Sequence, residues 1–272
     1  MNEKIKISAC IIVYNEEGLI DRCLKSIKDI ADEIIIVHDG ECSDKTLEIA
    51  RKYTNKIFTK PHVGIAEPLR SFSYEKAQGE WILQVDADEY FDLEDVDKVK
   101  GLIQDNQTDA YNFKWELWNG REPIQLKGLQ KMGLFRRGKI EYQGLPQTNV
   151  KVLGKVKLAD IFLRHRPLYD NVSWKTAGRK RRYWMEVNAR YFFPELVKYE
   201  CFNTTADSWI EYTKKVRKYP LFYLFFYPLK NFLGQLKNGL GLSWIGMNAL
   251  FQQYVYYFSL YWTIWKMEKK SK

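Results

Sequence analysis

Two aspartates stand one residue apart in Asp86-Ala87-Asp88, directly after the apolar run Trp81-Ile-Leu-Gln-Val85. Carboxylates so spaced can share a hard divalent cation, directly or through water. Mg²⁺ and Mn²⁺ take oxygen ligands and few protein carboxylates, leaving substrate phosphates to complete the shell. A metal held this way neutralises a diphosphate as its bond to carbon breaks. The same pair also suits a solvated acidic turn ahead of a helix N-terminus, and Asp92–Asp97 supplies further charge for one. The motif alone does not separate the two. Its company does more. A first apolar run ends at Tyr14-Asn15-Glu16-Glu17 and a second at His38-Asp39-Gly40. Carboxylates gathered on one sheet edge repel unless a cation or hydrogen-bond donors compensate.

The elements that must position these residues follow from hydrophobic period. Residues 5–14 and 33–38 are continuous Ile/Val-rich runs, predicted as buried strands, and 55–59 and 81–85 as two more. Leu19, Ile20, Cys23, Leu24, Ile27 and Ile30 recur at helical spacing within 17–30. Ser43 or Asp44 can cap a helix running to Tyr53, and 66–78 reads as helical. Alternating apolar strands and helices predict an α/β fold: a mostly parallel, Rossmann-like sheet with helices on both faces. Ligands in such sheets bind at the carboxyl ends of the strands. Further on, 111–118 and 132–136 read as strands, 139–165 as strand and turn, and 172–200 as a basic helix.

Four segments together resemble family 2 of the inverting glycosyltransferases, which have the GT-A fold. They are Ile11-Ile-Val-Tyr-Asn-Glu-Glu17; Glu33-Ile-Ile-Ile-Val-His-Asp-Gly40 with Ser43-Asp-Lys-Thr46; Gly64–Arg70; and Gly79-Glu-Trp-Ile-Leu-Gln-Val-Asp-Ala-Asp-Glu89. The resemblance implies a nucleotide-sugar donor and a divalent metal, Mn²⁺ or Mg²⁺. Val13, Tyr14, Asn15 and Glu16 would line base and ribose, and Asp39 would bind uracil or ribose. Arg70 would reach the base or diphosphate. Asp86 would face ribose and metal, Asp88 would ligate the metal, and His165, after a strand-like Ile161-Phe-Leu-Arg164, would join them. Residues 1–170 would be the catalytic domain and 171–272 a C-terminal amphipathic helical extension. The chain departs from the pattern at His38, where an acidic residue is usual, at a longer loop around Glu41-Cys42, and at Ser71, where Asn often stands.

The proton acceptor is not identified by motif. Related members place a His-Glu pair after a glycine; here Gly144-Leu-Pro is followed by Gln147 and Thr148. Inverting transfer to a hydroxyl needs a base, and Glu116, Glu122, Glu141 and Asp160 are the candidate carboxylates. Each also reads as an ordinary surface charge. A polyprenyl-phosphate acceptor, whose oxygen is already ionised, would need none.

With 272 residues, 46% hydrophobic and 28% charged, the chain can build a core and is not a disordered tail. The net charge of +9 favours anionic partners. No pair among Cys10, Cys23, Cys42 and Cys201 has zinc or redox spacing, which fits a reducing compartment. The opening Met-Asn-Glu-Lys-Ile-Lys runs into a strand and does not read as a signal peptide. Gly239–Trp265 holds no charged residue. As a helix, Asn248, Gln252, Ser259 and Thr263 would stripe one face, and Phe251, Val255, Phe258, Trp262 and Trp265 the other. That suits an interfacial helix better than a span. A shorter apolar run, Tyr219–Leu229, bounded by Pro220 and Pro228, follows Lys214-Lys-Val-Arg-Lys218, and basic residues beside aromatic ones favour an anionic leaflet. The Lys175–Arg182 cluster fits lipid headgroups or an acceptor phosphate. Packing against the rest of the protein is the alternative for these helices, and a solvated face for the cluster. The expected enzyme is peripheral (monotopic), on the cytoplasmic face of the inner membrane, acting on a lipid-linked or cell-surface glycan. A non-catalytic nucleotide- or glycan-binding module on the same fold is the competing class. Nucleic-acid binding is not expected, because the basic residues flank apolar helices. A nucleotidyltransferase would show a Gly-rich triphosphate loop near the first strand, and none stands out.

Overall fold

The structure is a computed structural model that describes residues 6–126, 128–146, 148–237 and 243–270. Two compact units are present. The first comprises residues 1–116, 129–168 and 200–204, the second 117–128, 169–199 and 205–272.

The first unit alternates as predicted: β1 (Ile7–Val13), α1 (Ile20–Ile27), β2 (Glu33–Asp39), α2 (Thr46–Ala50), β3 (Ile57–Lys60), α3 (Glu67–Lys76), β4 (Trp81–Gln84). A short strand β5 (Glu89–Tyr90), α4 (Val96–Leu102) and β6 (Ala110–Trp115) follow. The second unit contributes the hairpin β7 (Leu117–Trp118) and β8 (Pro123–Ile124). The chain then returns as β9 (Gln130–Arg136), β10 (Ile140–Glu141), β11 (Lys151–Val152) and β12 (Val156–His165).

An eight-stranded sheet runs in the order β3-β2-β1-β4-β9-β6-β12-β5. The pairs β3–β2, β2–β1, β1–β4 and β6–β12 are parallel, while β9 runs antiparallel between β4 and β6. The α/β expectation holds. Strand alternation divides the core in two. Ile7, Ala9, Ile11, Val13, Ile34, Ile36, Trp81 and Leu83 pack with α1, α2 and α4 on one face. Cys10, Ile35, Val37 and Ile82 pack with Leu69 and Tyr74 of α3 on the other. Both faces are covered, which is why these strands read as unbroken apolar runs. Each such fully buried aliphatic side chain contributes about 1.5–3 kcal/mol.

At the amino end of the sheet, β1 and the turn before β4 approach closely. A β-carbon on Gly79 would lie 2.6 Å from Ser8 Oγ and 2.8 Å from Ser8 N, so only glycine fits. Ser8 donates to the buried Glu33 carboxylate, which also accepts from Lys56 Nζ and, at 2.6 Å, from Gln78 N–H.

Several boundaries differ from expectation. The second helix stops at Ala50 rather than Tyr53, and Asp44 Oδ1 accepts Thr46 N–H at 2.9 Å just inside it. The strand predicted over 111–118 breaks at the buried Glu116, where the chain leaves the sheet.

The second unit holds the hairpin and four helices: α5 (Trp174–Arg190), α6 (Asp207–Lys218), α7 (Pro220–Lys237) and α8 (Trp244–Lys270). Ser173 caps α5 by accepting Thr176 N–H at 3.2 Å, and α5 ends ten residues short of the predicted 200. Met185, Ala189, Phe192, Phe193, Val216, Leu224, Leu260, Tyr261 and Ile264 form its core. Ring contacts Phe225–Phe258, Tyr227–Tyr257 and Phe232–Phe251 make α7 and α8 an antiparallel hairpin. The interfacial arrangement expected for α8 is not what forms. Its polar stripe turns inward: Asn248 and Gln252 donate to Val172 O at 3.1 and 2.6 Å, and Trp174 Nε1 donates to Asn248. Ser259 and Thr263 bond back to Val255 and Ser259 carbonyls. On the other face Phe251 and Phe258 contact α7, while Phe251 and Trp262 stay partly exposed. A half-buried amide that finds a carbonyl partner keeps its hydrogen bonding on packing. No helix among the described residues is long and apolar enough to cross a membrane. All four cysteines are free thiols, with Cys10 and Cys23 buried.

Candidate active site

The carboxyl ends of β1, β2 and β4 lie on one edge of the sheet, so the loops after them meet. Asn15 adopts a left-handed backbone (φ 53°), and its Oδ1 accepts Ser43 N–H at 2.9 Å. Glu16 N–H donates to Thr46 Oγ1 at 2.6 Å and Glu17 N–H to Asp44 Oδ2 at 3.1 Å. The Ser43–Thr46 segment therefore locks the first loop in shape. Val13 is a core residue, 2% exposed, and offers a ligand only its backbone. Tyr14 is half exposed, with its ring 4.7 Å from that of His62. Asp39 is buried, and its two oxygens accept Val63 and Gly64 N–H at 2.7 and 2.9 Å. In this arrangement Asp39 organises the 62–64 loop. His38, with Nδ1 2.8 Å from Gly40 O, is wholly buried.

The centre of the site lies past β4. Arg70, on α3, donates to Asp86 Oδ1 at 2.6 Å, and Lys131, on β9, donates to Asp86 Oδ2 at 2.6 Å. Lys131 also reaches both oxygens of Glu89 at 2.7 Å. Glu89 is 1% exposed and further accepts Trp115 Nε1 at 2.8 Å and Asp86 N–H at 2.9 Å. Burial disfavours the ionised Asp86 carboxyl, but Arg70 and Lys131 outweigh it and hold it far below the usual carboxylate range. At Glu89 burial acts in the same direction and prevails over Lys131, reinforced by the neighbouring Asp86 and Asp88 charges, so this carboxyl is raised. Burial likewise opposes the Arg70 charge, and Asp86 more than restores it.

Asp88 and His165 are brought together by the pairing of β5 with β12, which sets His165 opposite Glu89. His165 Nε2 lies 3.2 Å from Asp88 Oδ2, and Arg166 N–H donates to Asp88 O at 2.8 Å. The His165 ring lies 4.4 Å from that of Trp115. His165 is buried and Asp88 partly open, an oriented nitrogen–oxygen pair of the donor types a divalent metal takes. Asp86, at the start of the motif, has each oxygen accepting from one cation, Arg70 or Lys131, which leaves each oxygen a second lone pair. Among the described residues no group of three or more His, Cys, Asp or Glu forms a self-sufficient metal site. The fit is therefore to an ion completed by substrate oxygens.

Beside the ion-pair cluster a cavity of about 460 Å³ opens, lined by Glu67, Arg70, Gln84, Asn112, Gln130, Lys131, Met132, Tyr142, Thr148, Asn149 and Val150. Arg70 lines this cavity, while its Nη1 is buried away from it with no hydrogen-bond partner. The lining loop is fixed by Gly144, whose φ is +60° and where a β-carbon would lie 2.1 Å from Glu200 O.

The base candidates are dispersed and none of the four lines this cavity. Glu116 is wholly buried, bonded to Arg166 and 3.5 Å from Arg164. Glu141 pairs with Lys151 at 2.6 Å across β10–β11. Asp160 is 90% exposed beside Lys114, and Glu122 is an exposed residue of the β7–β8 hairpin unit. Gln147 lies outside the described residues; Thr148 donates to Leu145 O at 2.7 Å. Sequence reasoning missed Lys131, Glu89 and Glu67. Glu89 adjoins the motif, but Lys131 carries no local signal. Glu67 sits one helical turn before Arg70, and that spacing was the available clue.

Residues 8–152 match the family described as "Glycosyl transferase family 2", and the chain belongs to that family. An uncharacterised glycosyltransferase of Rickettsia bellii is 40% identical over 106 residues, covering 39% of this chain and 35% of that protein. The poly(ribitol-phosphate) beta-N-acetylglucosaminyltransferase TarS of Staphylococcus aureus is 32% identical over 129 residues, 43% of this chain and 22% of that one. The matched stretch thus spans only about a third or less of these relatives. The crystal structure of S. aureus TarS 1–349 in complex with UDP-GlcNAc superposes with a TM-score of 0.46 at 17% identity, covering 98% of this chain and 93% of that one.

Proposed function

We propose that the protein transfers a sugar, with inversion, from a nucleotide-diphosphate sugar, specifically a UDP-sugar, to a lipid-linked or cell-surface glycan at the inner face of the cytoplasmic membrane. The observation that supports this reading is the pair of cations Arg70 and Lys131, both held on Asp86, in the wall of a cavity that also carries the amides Gln84, Asn112, Gln130 and Asn149. Two fixed cations suit a diphosphate, and amide side chains suit sugar hydroxyls. Tyr14, Asn15 and Glu16 on their locked loop, with the neighbouring loop organised by Asp39, form the nucleotide side of this reading. Asp88 and His165 would hold Mn²⁺ or Mg²⁺, which when bound neutralises charge developing on the departing diphosphate.

Glu67 is the one carboxylate among the described residues lining the cavity, and it serves in this reading as proton acceptor. The acceptor oxygen forms its bond to the anomeric carbon, the carbon–diphosphate bond breaks, and the hydroxyl proton passes to Glu67. The dispersal of the other base candidates favours a second reading, an acceptor that is itself a phosphate monoester and needs no base.

A thermal-shift screen of UDP-, GDP- and dTDP-sugars with and without Mn²⁺ tests the donor. UDP-sugars should stabilise the protein only with metal, and Asp88→Asn and His165→Ala should abolish that dependence. No nucleotide-sugar effect, or retained metal dependence in both variants, would overturn the site. Glu67→Gln should lower kcat by about 10²–10⁴ with a hydroxyl acceptor while leaving donor stabilisation intact. Unchanged kcat with a polyprenyl-phosphate acceptor would select the second reading.

A further inference from the structure

Helix α7 is apolar almost all round, the pattern of a buried helix, yet only part of its surface is covered. Tyr223, Leu224, Tyr227, Pro228 and Phe232 face the helical core of the second unit. Leu221, Phe222, Phe225, Phe226, Leu229 and Leu233 recur at spacings of one, three and four residues, which puts them on one face. They are exposed by 54%, 56%, 58%, 61%, 47% and 54%. At roughly 200 Å² per aromatic side chain, the three phenylalanines alone present about 350 Å². The three leucines carry the patch beyond what an ordinary monomer leaves bare.

The charge around this face selects what covers it. From Tyr212 to Met267 the sequence holds no Asp or Glu; Lys215 pairs with Glu211 and Arg217 with Glu195 and Glu268 at its margins, which leaves Lys214, Lys218, Lys230, Lys237 and Lys266 to set the charge. Lys230 and Lys237 sit at the carboxyl end of the apolar stripe itself, both exposed. A second copy docked by two-fold symmetry would bring these basic surroundings against their own kind with no acidic partner in the segment. An anionic lipid surface supplies both requirements, apolar depth for the rings and negative headgroups for the lysines. The face also has the wrong length to span. Leu221 to Leu233 rises about 18 Å, against a hydrocarbon core of about 30 Å.

We propose that the outer face of α7, from Leu221 to Leu233 with Lys230 and Lys237, lies in the plane of an anionic bilayer and is the membrane-docking element of this protein. The inference deepens the function proposed above and rests on it for the lipid-side acceptor, while the face itself is independent of donor chemistry. Of the two apolar segments expected at a leaflet, it places the contact on the 219–229 run rather than on α8, whose Asn248 and Gln252 bond inside the unit.

The test is flotation of the full chain with phosphatidylglycerol/phosphatidylcholine vesicles against pure phosphatidylcholine, with the oligomeric state in lipid-free buffer measured by ultracentrifugation. Phe222→Ser, Phe225→Ser and Phe226→Ser combined should reduce binding more than tenfold. These are exposed positions, and an unchanged UDP–Mn²⁺ thermal shift would show that the first unit is intact. Lys230→Glu with Lys237→Glu should weaken binding at least by the roughly fivefold per lysine expected for loss of a surface cation. Wild-type protein that fails to float with anionic vesicles would overturn the proposal, as would a triple variant that floats like wild type. So would a lipid-free dimer that the same triple substitution dissociates. Loss of lipid binding with donor stabilisation retained supports α7; loss of donor stabilisation in wild type would instead strike at the donor site.

Discussion

Lys131 holds two carboxylates that would otherwise repel, and its replacement by Met gives a measurable test of the site's construction. Met keeps the length of the side chain and removes the charge. Glu89, 1% exposed, then loses its cation while retaining the N–H donors of Trp115 and Asp86. Asp86 keeps Arg70. Breaking a buried ion pair by removing one partner costs about 3–5 kcal/mol. Lys131 is 21% exposed and Glu89 keeps two donors, which argues for the lower end, about 3 kcal/mol. At about 2–4 °C per kcal/mol for a chain of this size, Tm should fall by about 6–12 °C. Adding Glu89→Gln removes the uncompensated charge. The double variant should therefore recover about half the loss, so the coupling in a double-mutant cycle is about 1.5 kcal/mol plus the cost of Glu89→Gln alone. Urea unfolding followed by circular dichroism reads all four proteins. A Lys131→Met cost under about 1 kcal/mol, or single costs that simply add in the double variant, would refute the reasoning.

Two further outcomes follow from the framework. Gly144→Ala forces a side chain into a left-handed backbone and against the Glu200 carbonyl, and should cost about 2–3 kcal/mol or more in urea unfolding; stability within 0.5 kcal/mol, roughly the level of a neutral surface change, would contradict the close approach. At Glu33 burial alone would raise the carboxyl, but hydrogen bonds from Lys56, Ser8 and the Gln78 N–H outweigh it and hold the folded value below the usual 4.5. Its stabilisation is present above the unfolded value and is lost as pH falls through the folded one. Glu33→Gln should therefore be less stable than wild type at pH 7, with the difference narrowing below about pH 4; a difference that grows on acidification would reverse the assignment.

The sheet was legible because its strands are buried on both faces. Ile34, Ile35, Ile36 and Val37 all meet protein, so the sequence carries an unbroken apolar run with a turn at Asp39-Gly40. Helix ends were less so. The α2 stop at Ala50 follows no Gly or Pro. The strand-end rule brought Asn15, Asp39 and Asp86 to one edge, and His165 Nε2 lies 3.2 Å from Asp88. What the sequence could not disclose was how the charges pair. Asp86 reads as a metal ligand by spacing, and the spacing does not show that Lys131 arrives from β9, 45 residues later, to bond one of its oxygens. Nothing within a few residues of either position encodes that meeting; it follows from β9 inserting antiparallel between β4 and β6.

The helical tail shows the same limit from the other side. Periodicity in α8 separates polar from apolar residues cleanly, and a stripe of Asn, Gln, Ser and Thr naturally reads as the wet side of an interfacial helix. Amides, however, satisfy themselves equally well on a buried carbonyl, and Val172 O provides one for both Asn248 and Gln252. Helix α7 has no such stripe. Its apolar residues surround the axis, so period alone cannot say which face is covered. Only the docking of Leu224, Tyr227 and Phe232 decides that, and by covering one side it leaves Phe222, Phe225 and Phe226 on the other. An amphipathic surface can thus be created by tertiary packing of a helix that is not amphipathic in sequence, and the exposed aromatic face of α7 has that origin.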